Sequence, residues 1–209
     1  MEKPADEIRI QQVTPVTHPA LIEYMTKRGI WPGLTYKYYK EVEFTLNKKD
    51  YIALGFQNER EGFELRNRNF KGSSNPKDIT IIEGRISGKP FFDCYGTNEK
   101  IKERVNVFEE STDFLSYLAM KEIEAPLYDC IILNSLSFYS RAVKLIQSAG
   151  YISATLYLEN NNAGDKYTAK MIEELKKAGI TTTDLRKGFD GFENLNGYWK
   201  AFLNANQLV

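Results

Sequence analysis

Acidic and amide side chains follow two apolar stretches of this sequence, at the points where each stretch ends. One stretch leads directly into Glu109 and Glu110, and the other leads into Glu159, with Asn161 two residues further on. A helical pattern follows each of them, so these side chains would stand at the carboxyl ends of strands. Parallel strands present such ends along one edge of a sheet. Carboxylate and amide oxygens at that edge suit a hard divalent cation.

Neighbouring residues extend this candidate metal site. Glu109 is the better candidate to face the edge because it follows the strand directly, whereas Glu110 would begin the helix and favour its dipole. Asp113 lies one turn further on and could support the same site, and Gly164 would let the chain turn tightly into the next helix. Taken alone, acids at strand ends are more often solvated caps than metal ligands, so that alternative stays open.

The elements that would position these residues alternate between strand and helix from residue 101 onward. Strand patterns cover 104–108, 129–134, 152–158 and 180–185, and helix patterns cover 111–120, 138–149, 165–178 and 195–204. Such alternation predicts a parallel four-stranded sheet flanked by helices. The sequence therefore predicts an α/β domain over residues 101–209.

Residues 1–100 have a different pattern. Two short helices are predicted at 17–29, with Thr17 as the N-cap, and at 34–40. Apolar residues then alternate with polar ones in the strands predicted at 42–46, 51–56, 63–66, 78–82 and 90–94. No helical crossover pattern separates these strands, which predicts an antiparallel meander in a separate α+β domain.

A basic segment at residues 66–77 is a candidate nucleic-acid surface. It carries Arg66, Arg68, Lys71 and Lys77 together with Phe70, and it holds no acidic residue. Basic side chains with an aromatic and flexible Gly/Ser suit a phosphate backbone with stacked bases. On charge alone, a solvated loop is the favoured interpretation.

The composition excludes several other kinds of site. Lys+Arg and Asp+Glu are both 28, so the net charge neither favours nor disfavours a nucleic-acid partner. His18 is the single histidine, which rules out the usual zinc patterns, and its place beside a helix start favours a structural role. Cys94 and Cys130 lie inside apolar runs and are predicted to be buried, reduced thiols. With neither a signal peptide nor a membrane-length apolar run, we expect a cytoplasmic protein without a membrane partner.

The order and spacing of these segments resemble the Toprim domain, the catalytic fold shared by bacterial DNA primases, topoisomerases and related nucleases. The segments that carry the resemblance are residues 107–109, 113–116, 158–164 and 194–196. Upstream segments also resemble primase-like Toprim proteins of mobile elements in Bacteroides-type bacteria; these are residues 17–21, 28–30, 62–67, 70–72 and 76–77.

The resemblance implies a glutamate on the first strand and an aspartate-x-aspartate pair on the third, which together bind Mg²⁺ or Mn²⁺ for phosphoryl transfer. Glu109 matches the glutamate, and Glu159 stands at the first aspartate. Asn161 replaces the second aspartate, Asn194 stands where relatives often carry an acid, and Glu110 stands where glycine is preferred. These departures imply weakened metal binding and place catalysis in question.

Two functions follow from the resemblance. The first is a primase-like nucleotidyltransferase that uses Mg²⁺ or Mn²⁺ and nucleoside triphosphates on single-stranded DNA, in replication or mobilisation of a mobile element. The second is a Toprim module that has lost turnover but still binds DNA or a replication partner. A third reading, an unrelated small-molecule α/β protein, is disfavoured because no glycine-rich phosphate fingerprint is present.

The resemblance also implies partners. Related primases carry an N-terminal zinc-binding module that helps to recognise the template, and this chain has no such cysteine set. We therefore expect either a fragment or a variant that depends on a helicase or on a zinc-module partner. Residues 66–77 correspond to the basic part of the primase N-terminal subdomain that faces the template strand.

Overall fold

A computed structural model of the chain describes residues 7–86 and 102–206. The chain packs as two compact units, Met1–Asp78 and Ile79–Val209. The first unit contains an antiparallel sheet and the second a mostly parallel one, which confirms the predicted fold class. The domain boundary predicted near residue 100, the strand predicted at 90–94, and Cys94 all lie outside the described residues.

The first unit is built on a five-stranded antiparallel sheet with two helices. In chain order its elements are β1 (Arg9–Thr14), α1 (Pro19–Thr26), α2 (Pro32–Tyr38), β2 (Lys40–Leu46), β3 (Lys49–Gln57), β4 (Phe63–Arg66) and β5 (Lys71–Ser73). The strands follow one another in sequence order across the sheet, as a meander requires. β1 and β5 were not predicted. The meander over β2, β3 and β4 is confirmed.

Alternating apolar residues give this sheet its buried face. Phe44, Ala53 and Leu65 pack together there, and Phe70 covers the same cluster from the β4–β5 turn. The turn between β2 and β3 is tight because Asn47 and Lys48 both adopt positive φ angles, 52° and 60°. These two left-handed residues match the twist of the flanking strands.

The start of α1 gives His18 a structural role. The N-cap is His18 rather than the predicted Thr17, and its Nδ1 accepts a hydrogen bond from the Ala20 N–H at 3.2 Å. The buried Glu41 carboxylate accepts from the N–H groups of Thr17 at 2.9 Å and His18 at 2.7 Å. Donors that would otherwise lack partners before the helix are thus satisfied by side chains.

The second unit is an α/β layer structure. Its elements are β6 (Thr80–Ile82), β7 (Lys102–Phe108), α3 (Ser111–Met120), β8 (Asp129–Ile132), α4 (Tyr139–Ser148), β9 (Tyr151–Tyr157), α5 (Asn162–Lys177), β10 (Thr181–Asp184) and α6 (Leu195–Asn206). The strand order is β10-β9-β7-β8-β6, and all neighbours are parallel except β6, which runs antiparallel to β8. The predicted parallel sheet is confirmed. β6, which we had grouped with the meander, forms its fifth strand.

Apolar side chains cover both faces of this sheet. On one face, α4 and α5 pack against a cluster that includes Val105, Val107 and Met171. On the other face, Phe108 contacts Phe114 of α3, and α3 packs against α6. Because β8 is buried along its whole length, apolar residues follow one another from Cys130 to Ile132 instead of alternating with polar ones.

The amino edge of the sheet holds a buried carboxylate with neutral partners. Asp129 Oδ2 accepts a hydrogen bond from the Tyr151 hydroxyl at 2.5 Å, and its Oδ1 accepts from the Gly84 N–H at 2.7 Å. These bonds join the starts of β8 and β9 to the segment after β6. The adjacent Cys130 is a buried free thiol, and burial raises its pKa to about 12. Among the described helices, none combines the length and apolar character needed to cross a bilayer.

Candidate functional site

The carboxyl ends of β7 and β9 meet at one edge of the parallel sheet. The two strands are hydrogen-bonded neighbours, and Phe108 lies opposite Tyr157. The chain after β7 turns into α3, and the chain after β9 turns into α5, so the residues of both turns share this edge. The two strand tips therefore lie at one edge of the sheet, as the sequence predicts.

Three carboxylates gather at this edge. One oxygen from each of Glu110, Asp113 and Glu159 lies within 4.8 Å of the other two, and we call these residues the acidic cluster. Glu110 and Asp113 share one side of the first turn of α3 because they are three residues apart. Asp113 is buried, whereas the two glutamates are half-buried and accessible.

Glu110 is the member of the cluster that the sequence analysis passed over. It stands at the N-cap of α3, but its side chain makes no capping hydrogen bond and turns toward the acidic cluster instead. The spacing of Glu110 and Asp113 along the sequence was the available signal. We had set it aside because a glutamate at a helix start is adequately explained by the helix dipole.

Glu109 connects the two strand tips. Its Oε2 accepts a hydrogen bond from the Glu159 N–H at 3.1 Å, so the carboxylate of the first tip holds the backbone of the second. Glu109 therefore lies next to the acidic cluster and fixes the position of Glu159. Its predicted metal-binding role remains a prediction.

Asn161 serves the tip in two ways. Its Oδ1 accepts from the Gly164 N–H at 2.8 Å and so caps α5, while its Nδ2 donates to Glu159 Oε2 at 2.9 Å. To ligate a cation through its oxygen, Asn161 would have to give up the cap. Its role as a metal ligand stays a prediction, and the observed contact orients the Glu159 carboxylate.

Gly164 is required by close packing instead of an unusual φ angle. A Cβ at this position would lie 1.9 Å from the carbonyl oxygen of Glu159. Real Cβ contacts are not this short, and a backbone carbonyl cannot rotate away as a side chain does. The first turn of α5 can therefore sit this close to the acidic strand tip only with glycine here.

The start of α6 is tied to the same region. Asp113 Oδ1 accepts from the Asn196 N–H at 3.0 Å, and Asn196 Nδ2 donates to Ser116 Oγ at 2.9 Å. Asn194, predicted to stand where relatives carry an acid, accepts from the Gly197 N–H at 2.9 Å. Asn194 thus satisfies the first turn of α6, and these buried bonds fix the Asp113 carboxylate.

Arg186 supports the tip from the side of β10. Its guanidinium donates to both carboxylate oxygens of Asp184 and contacts Asp165 at 2.5 Å and the Glu159 carbonyl oxygen at 3.5 Å. Burial raises the pKa of Asp184, but hydrogen bonds from the Arg186 side chain and backbone outweigh it, and the net pKa lies below the ordinary value.

The first unit contains a basic cleft of about 300 Å³. It is lined by Tyr24 and Arg28, which lie in and after α1, and by the β4–β5 turn over residues 66–71. The Arg28 guanidinium lies over the Tyr24 ring, 4.8 Å from its centroid. The predicted residues Arg66, Arg68 and Lys71 are brought together in this cleft.

Two details of the basic segment differ from the prediction. Phe70 lines the cleft but packs on Phe44 and Tyr51, with ring centroids 5.1 and 5.9 Å away, so it is part of the sheet's core. Lys71 begins strand β5 instead of lying in a flexible loop, because Asn67 closes a tight turn by bonding to the Asn69 N–H and the Ile52 carbonyl. The exposed Lys77 is outside the cleft lining.

A comparison with protein families decides what the second unit is. The model described as Toprim-like matches residues 106–198, which span the acidic cluster and the crossover helices. Residues 106–198 form a Toprim-like domain. A separate model, described as a domain of unknown function (DUF8464), matches residues 10–75 of the first unit. No curated protein matches the sequence significantly.

Solved structures show a primase-like fold around this Toprim-like domain. The primase fragment of the bacteriophage T7 primase-helicase protein is 13% identical, with a TM-score of 0.57 over 99% of this chain and 78% of that chain. The Aquifex aeolicus primase, with its zinc-binding and RNA polymerase domains, is 14% identical, with a TM-score of 0.59 over 93% of this chain and 56% of that one. The mobile-element subfamily remains a prediction.

A third structure has T7 primase domains in a larger assembly. It is the bacteriophage T7 lagging-strand DNA polymerase interacting with primase domains of two gp4 subunits, which are bound to an RNA/DNA hybrid and dTTP. The identity is 12%, and the TM-score is 0.53 over 88% of this chain and 85% of that chain. At these identities the likeness concerns the fold alone.

The donor set of the Toprim-like domain fits a divalent cation. Ligands on opposite sides of Mg²⁺ lie about 4.2 Å apart, since each bond is about 2.1 Å long. The three oxygens of the acidic cluster, within 4.8 Å of one another, need only a small inward shift of side chains. Three like charges this close repel each other, and a cation would offset that repulsion.

Proposed function

We propose that this protein is a primase-like nucleotidyltransferase that acts on single-stranded DNA with Mg²⁺ or Mn²⁺. The observation that carries the proposal is the acidic cluster at the carboxyl edge of a Toprim-like domain. Helix capping and the connection between the strand tips are served there by Asn161 and Glu109, so the accessible carboxylates of Glu110 and Glu159 are not needed for those two tasks.

Each group in the proposed site has a physical task. A cation bound by Glu110, Asp113 and Glu159 would neutralise charge on phosphate oxygens during phosphoryl transfer. Glu109 and Asn161 keep the Glu159 carboxylate facing the edge through the bonds to its backbone and side chain. Asp113 is held by the first turn of α6 and provides a fixed oxygen donor.

The basic cleft is the proposed site for the template strand. Arg66, Arg68 and Lys71 would contact backbone phosphates, whose neutralisation releases counterions and makes binding salt-dependent. Tyr24, with the Arg28 guanidinium held over it, offers an aromatic and planar surface suited to bases. The predicted contribution of Lys77, which is exposed and outside the cleft lining, stays part of this proposal.

The proposal includes the substrates and partners expected from the sequence. Nucleoside triphosphates and a nucleic-acid partner are supported by the T7 assembly, which contains an RNA/DNA hybrid and dTTP. Single-stranded DNA as the template comes from the family resemblance. A helicase or a zinc-module partner is supported by the domains of two similar proteins. The T7 protein is a primase-helicase, and the Aquifex aeolicus primase has a zinc-binding domain. A role in replication or mobilisation of a mobile element would follow from that activity.

Primer synthesis and metal titration together test the proposal. We expect extension products from single-stranded templates with Mg²⁺ or Mn²⁺, and we expect calorimetry to detect one Mn²⁺ site. Glu159→Gln should abolish synthesis and weaken Mn²⁺ binding at least tenfold, whereas Glu103→Gln, at the exposed far end of β7, should change neither. Mn²⁺ binding unchanged by Glu159→Gln would contradict the proposal.

A second candidate function is nucleic-acid binding without turnover. The observation that favours it is the Asn161 amide, which stands where the family expects an acid and is occupied by the α5 cap and by Glu159. This candidate predicts binding to single-stranded DNA that is unaffected by chelator. The double variant Arg66→Ala/Arg68→Ala should bind at least tenfold more weakly. The matched control is Lys49→Ala/Arg60→Ala, which removes two exposed charges outside the cleft.

The two candidates are separated by combining the assays. Salt-sensitive DNA binding together with primer synthesis supports the enzyme, and the same binding without synthesis in either metal supports the binding module. Equal affinity of the Arg66→Ala/Arg68→Ala variant and its control would remove the cleft from both.

A further inference from the structure

A second cationic surface, distinct from the basic cleft, lies on the Toprim-like domain. It consists of Tyr139 at the start of α4 and of Lys166, Tyr167 and Lys170 in α5, and we call it the tyrosine–lysine surface. The two rings pack with centroids 5.0 Å apart. Lys170 Nζ lies over both rings, 5.3 Å from Tyr139 and 5.5 Å from Tyr167, and Lys166 Nζ lies 5.8 Å from Tyr167.

The ammonium groups of this surface are available to an anionic ligand. Both lysines are exposed, and among the described residues neither forms an ion pair with a carboxylate. Cation–π contact with the half-buried rings holds the ammoniums in place without neutralising them. A flexible lysine would lose more side-chain entropy on binding than one already positioned.

The surroundings reinforce the positive charge. Lys144 is exposed on α4, and the sequence of that helix contains no acidic residue. Two of the three acids of α5 are engaged elsewhere, since Asp165 pairs with Arg186 at 2.5 Å and Glu173 pairs with Lys177 at 2.7 Å. The third, Glu174, is half-buried and lies four residues beyond Lys170, with which it forms no ion pair.

The position of Lys166 relates this surface to the carboxyl edge. Lys166 is five residues beyond Asn161, the N-cap of α5, and this spacing is about 7 Å along a helix axis. Adjacent phosphates of an extended nucleic-acid strand are separated by a similar distance. A strand lying along the lysines could therefore continue to the edge where the acidic cluster lies.

We propose that the tyrosine–lysine surface binds the phosphate backbone of a nucleic-acid strand where it passes the carboxyl edge of the Toprim-like domain. The choice of a nucleic acid over an acidic protein rests on the proposed function. In that function the phosphates of a nucleic-acid strand react at the carboxyl edge, so the strand must pass close to it. The lysines act as point charges on phosphates and read no sequence.

Salt-dependent binding to a fluorescent 16-nucleotide oligo-dT, measured with the full chain in EDTA, tests this inference. EDTA removes metal-bridged contacts at the acidic cluster. We expect Lys166→Gln/Lys170→Gln to weaken binding about tenfold in low salt. The slope of log K against log salt should become less negative by about 1.4, or about 0.7 for each lost single-strand phosphate contact.

The matched control is Lys176→Gln/Lys200→Gln, which removes two exposed lysines from the far end of α5 and from α6. Tyr139→Phe should retain full affinity because the ring remains, and Tyr139→Leu should lose part of it. Affinity and slope for Lys166→Gln/Lys170→Gln equal to those of the control would overturn the inference, and would leave an acidic protein as the fitting partner.

Separate variants distinguish this inference from the proposed function. If Arg66→Ala/Arg68→Ala lowers affinity and Lys166→Gln/Lys170→Gln does not, the basic cleft stands and the tyrosine–lysine surface fails. The reverse result keeps the surface and removes the cleft. A loss in both variants supports two contact regions.

Discussion

Both edges of the parallel sheet carry carboxylates, but in opposite surroundings. At the amino edge, buried Asp129 receives hydrogen bonds from the neutral Tyr151 hydroxyl and the Gly84 N–H. At the carboxyl edge, the acidic cluster brings three carboxylates within 4.8 Å. The first arrangement is satisfied within the protein and stabilises the fold. The second places like charges close together and offers carboxylate oxygens to an added cation.

Gly164→Ala should have the largest effect, because it disturbs the carboxyl edge itself. The new Cβ would meet the Glu159 carbonyl at 1.9 Å, so the strand tip or α5 must move. We expect unfolding to become easier by about 2–3 kcal/mol and Mn²⁺ affinity to fall at least tenfold, measured by urea denaturation and calorimetry. Gly188→Ala, with open space around its Cβ, is the control. Unchanged Mn²⁺ affinity would mean that the tip does not hold the metal.

Glu110→Gln tests the edge by charge alone. The side chain keeps its shape but loses one of three clustered negative charges, so Mn²⁺ affinity should fall about tenfold. Without metal, the free energy of unfolding should stay the same or rise by up to about 1 kcal/mol, since repulsion is relieved. A destabilised protein with normal Mn²⁺ affinity would show that Glu110 is a structural carboxylate like Asp129.

Tyr151→Phe applies the opposite test to the amino edge. Removing the hydroxyl leaves Asp129 Oδ2 without that donor in a buried site. We expect a loss of about 1–3 kcal/mol in the free energy of unfolding, measured by urea denaturation, with Mn²⁺ affinity unchanged within twofold. A clear drop in metal affinity would show that the two edges are coupled.

The smallest expected effect is an alkaline sensitivity of the amino edge. Burial raises the pKa of the Cys130 thiol from 9.0 to about 12, so the neutral thiol is favoured in the folded state. Its contribution to stability is complete below pH 9 and is lost as pH rises toward 12. Between pH 9 and 10, the parent should lose about 1 kcal/mol more stability than Cys130→Ala. The same change in unfolding free energy with pH for the parent and for Cys130→Ala would contradict this prediction.

The sequence was sufficient to predict those helices and strands whose buried face repeats apolar residues at a regular spacing. The crossover helices and the strands β7, β8 and β9 were predicted within a few residues, because a two-sided apolar core leaves a strong pattern. The edge strand β10 was also predicted within a few residues, although its own sequence is polar and half-exposed. β1 escaped prediction because it is an edge strand with mostly exposed residues and no alternation. β6 was recognised as a strand but assigned to the wrong sheet, since three residues carry no information about their pairing partner.

The sequence predicted which strand tips form the site. It did not predict which carboxylate oxygens lie together there. Sequence placed Glu109 and Glu159 at one edge, and the structure brings them into contact through the Glu159 backbone. Which of two successive glutamates points into the cluster depends on the local turn, and Glu110 takes that position. The partnership of Arg28 with Tyr24 in the basic cleft depends on tertiary packing around residues 66–71.

Asn161 completes the strand tip without adding charge, by capping α5 and by donating to Glu159 in the same conformation. The tip is therefore held by bonds within the chain and does not rely on an ion for its shape. Under the proposed function, depletion of magnesium should stop activity reversibly while the surrounding polypeptide stays folded.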